Sequence, residues 1–144
     1  MNYNELQQIT SKYDCNPMGY NRNTLFHCTK RKNLRKIFKH GLKPSMPEKI
    51  TKSIEGVYLS KLPFDWMHYV TNETTVAGAM IEIDVEGLEL EKDNGICPYS
   101  WEHHPAYFYT ATISVERFVS ISISTDEKPY SFEKILPERY KTLI

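Results

Sequence analysis

The chain has 144 residues, of which 40% are hydrophobic and 25% charged, so we expect one globular domain, residues 1–144, with its own core. Its 18 basic and 18 acidic residues cancel, and overall charge therefore predicts no particular partner. With no apolar run long enough to cross a bilayer and no signal-peptide pattern at the start, we expect a soluble cytoplasmic protein without a membrane partner.

The first half of the chain predicts two helices around a short strand. Apolar residues recur at helical spacing over residues 3–13, and residues 15–23, "CNPMGYNRN", are typical of a loop. The strand "TLFHCT" covers residues 24–29. Asn33 suits the N-cap of the helix that follows, and Gly41 suits the position just beyond its end.

From residue 56 onward, the sequence predicts mainly strands. Alternating or β-branched sequences indicate four of them, at residues 56–60, 78–87, 106–114 and 117–124. Pro63 suits the first turn of an intervening helix, and residues 131–144 resemble a helical turn broken at Pro137. Strict alternation of strand and helix is absent, and the strands gather late in the chain. The order favours an α+β fold with antiparallel strands.

Charge is segregated along the chain although it sums to zero. Residues Lys30 to Lys43 include seven basic residues and no acidic one, whereas residues Glu82 to Asp93 include six acidic residues and one lysine. Taken alone, such a basic run indicates a solvated helix face, but beside a pocket it would attract phosphate. The sequence leaves both interpretations open.

Neither a disulfide framework nor a metal site is predicted. The three cysteines are odd in number and form no CxxC pair. His27 and Cys28 are adjacent, as are His103 and His104, and neighbouring residues of a strand point to opposite faces. We therefore expect no metal.

Four segments, in order, resemble one protein family. "LFHCT…NLRKIFKHGLKP", "GVYLS", "AMIEIDVEGLELEKDNG" and "YFYTATISVERFVSI" are similar in sequence and spacing to ADP-ribosyltransferase-fold proteins, including small bacterial and phage transferases and RNA 2′-phosphotransferases. The resemblance covers about residues 24–123. It implies two small, mostly antiparallel sheets that form a cleft with flanking helices, with NAD bound in the cleft as substrate.

The resemblance also implies the residues of an NAD site. His27 takes the place of a histidine that binds a ribose hydroxyl, and Thr29 that of the family threonine. Cys28 stands where the family has glycine, in the backbone that holds the nicotinamide amide. Tyr58, with Ser60 beside it, and Tyr69 resemble a tyrosine pair whose rings stack on nicotinamide.

A carboxylate completes the implied chemistry, because cleavage of the nicotinamide–ribose bond develops positive charge on the sugar. The family glutamate falls near His104 or Pro105, where His104 would line the cofactor pocket. Glu102 is two residues before His104 and would therefore point to the same face of a strand as His104. It is the predicted catalytic carboxylate, and His27 and Tyr58 are the other predicted catalytic residues.

The leading hypothesis is an NAD-dependent mono-ADP-ribosyltransferase, a transferase of the glycosyltransferase type, whose acceptor is a protein or a nucleic acid. One alternative is a catalytically inactive protein of the same fold that acts as a binder or inhibitor. The other is an RNA 2′-phosphotransferase-like enzyme, in which His103 and His104 would bind phosphate.

Overall fold

The fold was analysed in a computed structural model that describes residues 23–45, 54–63, 67, 77–93, 105–124 and 132–144. The helix predicted over residues 3–13 and the loop at 15–22 lie outside these ranges. Of residues 64–76, which include most of the helix predicted from Pro63, the structure describes Met67 alone.

Seven antiparallel strands form one sheet. They are β1 (Thr24–Lys30), β2 (Val57–Ser60), β3 (Gly78–Asp84), β4 (Glu91–Lys92), β5 (Ala106–Tyr109), β6 (Phe118–Ser124) and β7 (Phe132–Ile135). Their order across the sheet is β4-β5-β2-β1-β3-β6-β7. The predicted α+β class with antiparallel strands is confirmed. Two small sheets were expected, but in the described residues the strands form a single sheet.

The junction between β1 and β2 is the narrowest part of this sheet. Seven residue pairs align β1 with β3 and four align β2 with β5, whereas β1 and β2 share only the pair Phe26–Ser60. The sheet therefore consists of a β4-β5-β2 part and a β1-β3-β6-β7 part, joined at one point.

Alternation along the strands gives the sheet two faces. On one, which we call the α1 face, Leu25, Leu59 and Ile81 pack in one cluster with Leu34 and Ile37 of helix α1 (Leu34–His40). The opposite face, called the Glu82 face, carries Phe26, Ser60 and Glu82, because these residues are partners across β1, β2 and β3. Phe26 packs there with Met67 and Met80.

Helix α1 begins and ends near the predicted residues. A 3-10 helix, Arg31–Asn33, leads into it, and Asn33 makes no side-chain cap hydrogen bond. Gly41 ends it with φ 77° and ψ −178°, and its N–H donates to Ile37 O at 2.7 Å. A side chain is disfavoured in this backbone conformation, so glycine is the residue that suits the position.

Two predicted elements differ from the structure, and one strand was not predicted. The tail was expected to be a helical turn, but Phe132–Ile135 form β7 beside β6, and only then does a 3-10 helix, Pro137–Leu143, follow. The strand predicted over 106–114 ends at Tyr109, and a further 3-10 helix, Val115–Arg117, precedes β6. Strand β4 was not predicted, since two residues are too short for a recognisable alternation.

None of the helices in the described ranges is both long enough and apolar enough to cross a bilayer.

Candidate functional site

His27 connects the two parts of the sheet where their pairing is narrowest. Its Nδ1 lies 2.8 Å from the backbone oxygen of Tyr58 on β2. A carbonyl oxygen only accepts hydrogen bonds, so Nδ1 carries the proton and donates it. The ring is thereby held in one orientation and one tautomer, with Nε2 left as an acceptor when the imidazole is neutral.

Burial favours this neutral form. The pKa of His27 is lowered from 6.5, chiefly because the ring is desolvated, while its bond to the Tyr58 carbonyl acts weakly in the other direction. The residue retains partial exposure to solvent. Among the described residues, no group makes a hydrogen bond with Nε2, and this nitrogen can accept one from a ligand hydroxyl.

Thr29 lies two residues beyond His27, on the same face of β1, and is buried. Its Oγ1 accepts a hydrogen bond from Nδ2 of Asn33 at 3.1 Å. The bond ties the end of β1 to the start of α1. Thr29 thus supports the position of the strand that carries His27.

Cys28 and Ser60 lie on the Glu82 face. Cys28 packs against the cluster of Phe26, Met67 and Met80, so its side chain points away from the imidazole of His27. Ser60 is buried, and its Oγ donates to the Leu62 oxygen at 3.1 Å. The same Oγ lies 3.5 Å from Phe26 O, which strengthens the single pair that joins β1 and β2.

Tyr58 places its backbone and its ring in different surroundings. Its carbonyl accepts from His27, but its ring lies on the Glu82 face, 5.5 Å from the ring of Phe108, and its hydroxyl donates to Ile54 O. Burial, followed by the charge of Asp93, raises the pKa of the Tyr58 hydroxyl. The structure therefore brings His27 to the Tyr58 main chain, with the two side chains on opposite faces.

Three predicted site residues, Tyr69, Glu102 and His104, lie outside the described residues. Their roles stay predictions.

Two buried carboxylates were not predicted as site residues. Asp93 is 4% exposed and Glu82 is 1% exposed. Both belong to the acidic run from Glu82 to Asp93, but only Glu82 lies in the alternating segment, residues 78–87, that predicted a strand. Alternation shows that a strand has two kinds of face but does not show that both faces are covered.

Asp93 lies beside the start of β5. Its N–H donates to the oxygen of Ala106 at 3.0 Å, and Ala106 is the partner of Ser60 on β2. The resemblance places the family carboxylate just before Ala106, so Asp93 is close in space to a position that the sequence fills with Pro105. Neighbouring strands lie about 4.8 Å apart, which sets Asp93 roughly 10 Å from Ser60.

Glu82 occupies the centre of the opposite part of the sheet. Its Oε2 accepts from Thr24 Oγ1 and its Oε1 from Ser120 Oγ, each at 2.8 Å. Short bonds to both oxygens provide the compensation that a buried carboxylate requires.

Searches of protein-family models, curated proteins and solved structures find nothing that matches this chain.

Proposed function

We propose that the protein binds NAD at the β1–β2 junction and transfers ADP-ribose to a macromolecular acceptor. The observation that carries the proposal is the His27 imidazole, which is anchored through Nδ1 to the Tyr58 carbonyl and keeps Nε2 as an acceptor. A ribose hydroxyl is a donor of the kind that such a nitrogen binds. The lowered pKa of His27 keeps that acceptor available at neutral pH.

The reaction breaks the bond between ribose C1′ and the nicotinamide nitrogen, which takes the electron pair and leaves neutral. A nucleophile of the acceptor forms the new bond to C1′ and gives up its proton. A carboxylate near the ribose would stabilise the positive charge of the sugar and receive that proton. Glu102 is the predicted carboxylate. Asp93 also lies beside the start of β5, but its alignment with Ala106 and Ser60 sets it on the Glu82 face, opposite to His27.

Two substitutions of His27 separate its structural contact from its ligand contact. In His27→Asn, the amide nitrogen replaces Nδ1 and can still donate to Tyr58 O, but no group replaces Nε2. In His27→Gln, the terminal amide instead reaches toward the Nε2 position, where its oxygen can accept a hydrogen bond, and no group replaces Nδ1. We expect His27→Asn to unfold at nearly the wild-type temperature yet to bind NAD at least tenfold more weakly by calorimetry, as expected for one lost polar contact of about 1.4 kcal/mol.

Transfer is measured with radiolabelled NAD and a cell extract. Loss of labelling in Glu102→Gln with Asp93→Asn still active would assign the catalytic carboxylate to Glu102, whereas loss in Asp93→Asn alone would place the reaction on the Glu82 face, away from His27. Thr112→Ser, a change in an exposed residue, serves as the control. Wild-type NAD affinity in His27→Asn would refute the proposed site.

A non-catalytic nucleotide binder is the second candidate. The position of the Tyr58 ring favours it, because that ring packs on Phe108 on the face opposite to His27. Binding of NAD that depends on His27, without label transfer or nicotinamide release, would support this candidate over the transferase.

A further inference from the structure

Helix α1 and the turn before it carry an exposed basic surface, defined here as Lys32, Arg35, Lys36 and Lys39. All four residues are exposed, and no acidic residue occurs anywhere between positions 23 and 45. Across the part of the chain that the structure describes, none of the four makes an ion pair.

The three basic side chains of α1 lie on the side of the helix that faces away from the sheet. Leu34 and Ile37 are buried and define the side that faces the sheet. At about 100° per residue, Arg35, Lys36 and Lys39 project from the opposite side. From Lys32 to Lys39 the array is about 10 Å long, taking a rise of about 1.5 Å per residue.

The start of the basic segment lies at the opposite end of the β1–β3 pair from Asp84. In the β1–β3 pairing, Lys30 is opposite Gly78, whereas Thr24 is opposite Asp84. Six residue steps of a strand span roughly 20 Å, which exceeds the Debye length of about 8 Å at physiological ionic strength. The start of the basic segment is thus electrostatically separate from Asp84 and from the exposed Glu86 that follows it.

We propose that the basic surface binds nucleic acid through its phosphates. Like charges three and four residues apart repel one another on a helix, and a row of phosphates at regular spacing relieves that repulsion. A membrane surface fits less well, since interfacial helices insert an apolar side into lipid and the apolar side of α1 is packed on the sheet. A protein partner would require an apolar centre, which these four cations do not provide.

This binding surface goes beyond the proposed transferase activity and needs no NAD. If the protein is a transferase, the surface would make nucleic acid its acceptor, and only this part of the inference rests on the proposed function. Binding to an oligonucleotide without NAD therefore tests the surface even if the NAD site is wrong.

The experiment is fluorescence anisotropy of the full chain with a labelled single-stranded DNA of about 20 nucleotides, at several salt concentrations. The quadruple variant replaces Lys32, Arg35, Lys36 and Lys39 with glutamine. Log affinity falls with log salt, and each phosphate contact on a single strand contributes about 0.7 to the magnitude of that slope. The slope of the variant should therefore be about 3 less steep than that of the wild type. Between about 50 and about 200 mM salt, the wild type should lose about 50-fold more affinity than the variant.

Two double variants with equal change in charge provide the matched control. Arg35→Gln with Lys39→Gln removes two charges from the basic surface, whereas Lys92→Gln with Lys141→Gln removes two exposed charges elsewhere. We expect the first pair to weaken binding about tenfold near physiological salt and the second less than twofold.

Circular dichroism and thermal unfolding establish that each variant is folded. Equal losses in the two double variants would show an effect of net charge alone and would overturn the proposal. So would undiminished binding by the folded quadruple variant, no binding by the wild type, or wild-type binding to phosphatidylserine vesicles in preference to the oligonucleotide.

Discussion

Replacement of Glu82 by alanine should unfold the protein at a much lower temperature. The carboxylate is 1% exposed, and its two oxygens accept hydrogen bonds from Thr24 and from Ser120, both at 2.8 Å. Its removal leaves two buried hydroxyls without this acceptor and opens a cavity between β1, β3 and β6. Both effects lower the free energy of unfolding.

The size of the effect follows from these contacts. A hydrogen bond to a charged group contributes about 1.5–3 kcal/mol, and release of a buried charge into the unfolded chain offsets part of that sum. We expect Glu82→Ala to lower the free energy of unfolding by about 3 kcal/mol. At about 3 °C per kcal/mol for a chain of this size, the melting temperature should fall by roughly 10 °C.

Urea unfolding followed by circular dichroism measures the loss, with Glu86→Ala as a control at an exposed acid, expected within about 0.5 kcal/mol of wild type. The triple variant Glu82→Leu, Thr24→Val, Ser120→Ala removes donors and acceptor together. Because these two donors and their acceptor are removed together, it should be within about 1 kcal/mol of wild type. A triple variant as unstable as Glu82→Ala would refute the reasoning.

Two further predictions concern backbone strain and pH. Gly41→Ala should lower the free energy of unfolding by about 3 kcal/mol in a thermal unfolding assay, because φ is 77° and the new Cβ would lie 2.8 Å from Ile113 O. Gly87→Ala, at φ 82° with no atom within 4 Å of the new Cβ, should lower it by about 1 kcal/mol. Equal losses would exclude a role for the Ile113 contact. Since the pKa of His27 is below 6.5 in the folded state, the unfolded chain takes up the proton first, so stability should fall as pH drops from 6.5 toward the folded pKa. His27→Asn should reduce this pH dependence in urea titrations, and an unchanged pH dependence would contradict the burial of a neutral imidazole.

The accuracy of the sequence predictions depended on how locally each element is determined. Short local segments were sufficient to find β1, β2 and the alternating β3, and the glycine after His40 marked the end of α1. Strand β7 was mistaken for a helical turn, because Phe132–Ile135 is a short segment whose strand form depends on pairing with β6. No periodicity within four residues contains that partner.

The candidate site shows the same division. The sequence predicted that His27 lies on a strand, and the family resemblance implied that His27 and the Tyr58 ring would line one pocket. The register of Phe26 with Ser60 sets the two side chains on opposite faces and leaves only the Tyr58 carbonyl within reach of the imidazole. A shift of one residue in that register would reverse the arrangement.

The sequence by itself determined the elements whose signals lie within a few residues: the alternation of the central strands, the ends of α1 and the separation of basic from acidic segments. Only the tertiary structure decided that Glu82 and Asp93 are buried, that β7 is a strand, and that His27 is fixed by the Tyr58 carbonyl. The physical reason is that burial, register and hydrogen-bond partners depend on residues distant in the chain. Glu82, for example, lies 58 positions from Thr24 and 38 from Ser120, the two residues that make its buried carboxylate tolerable.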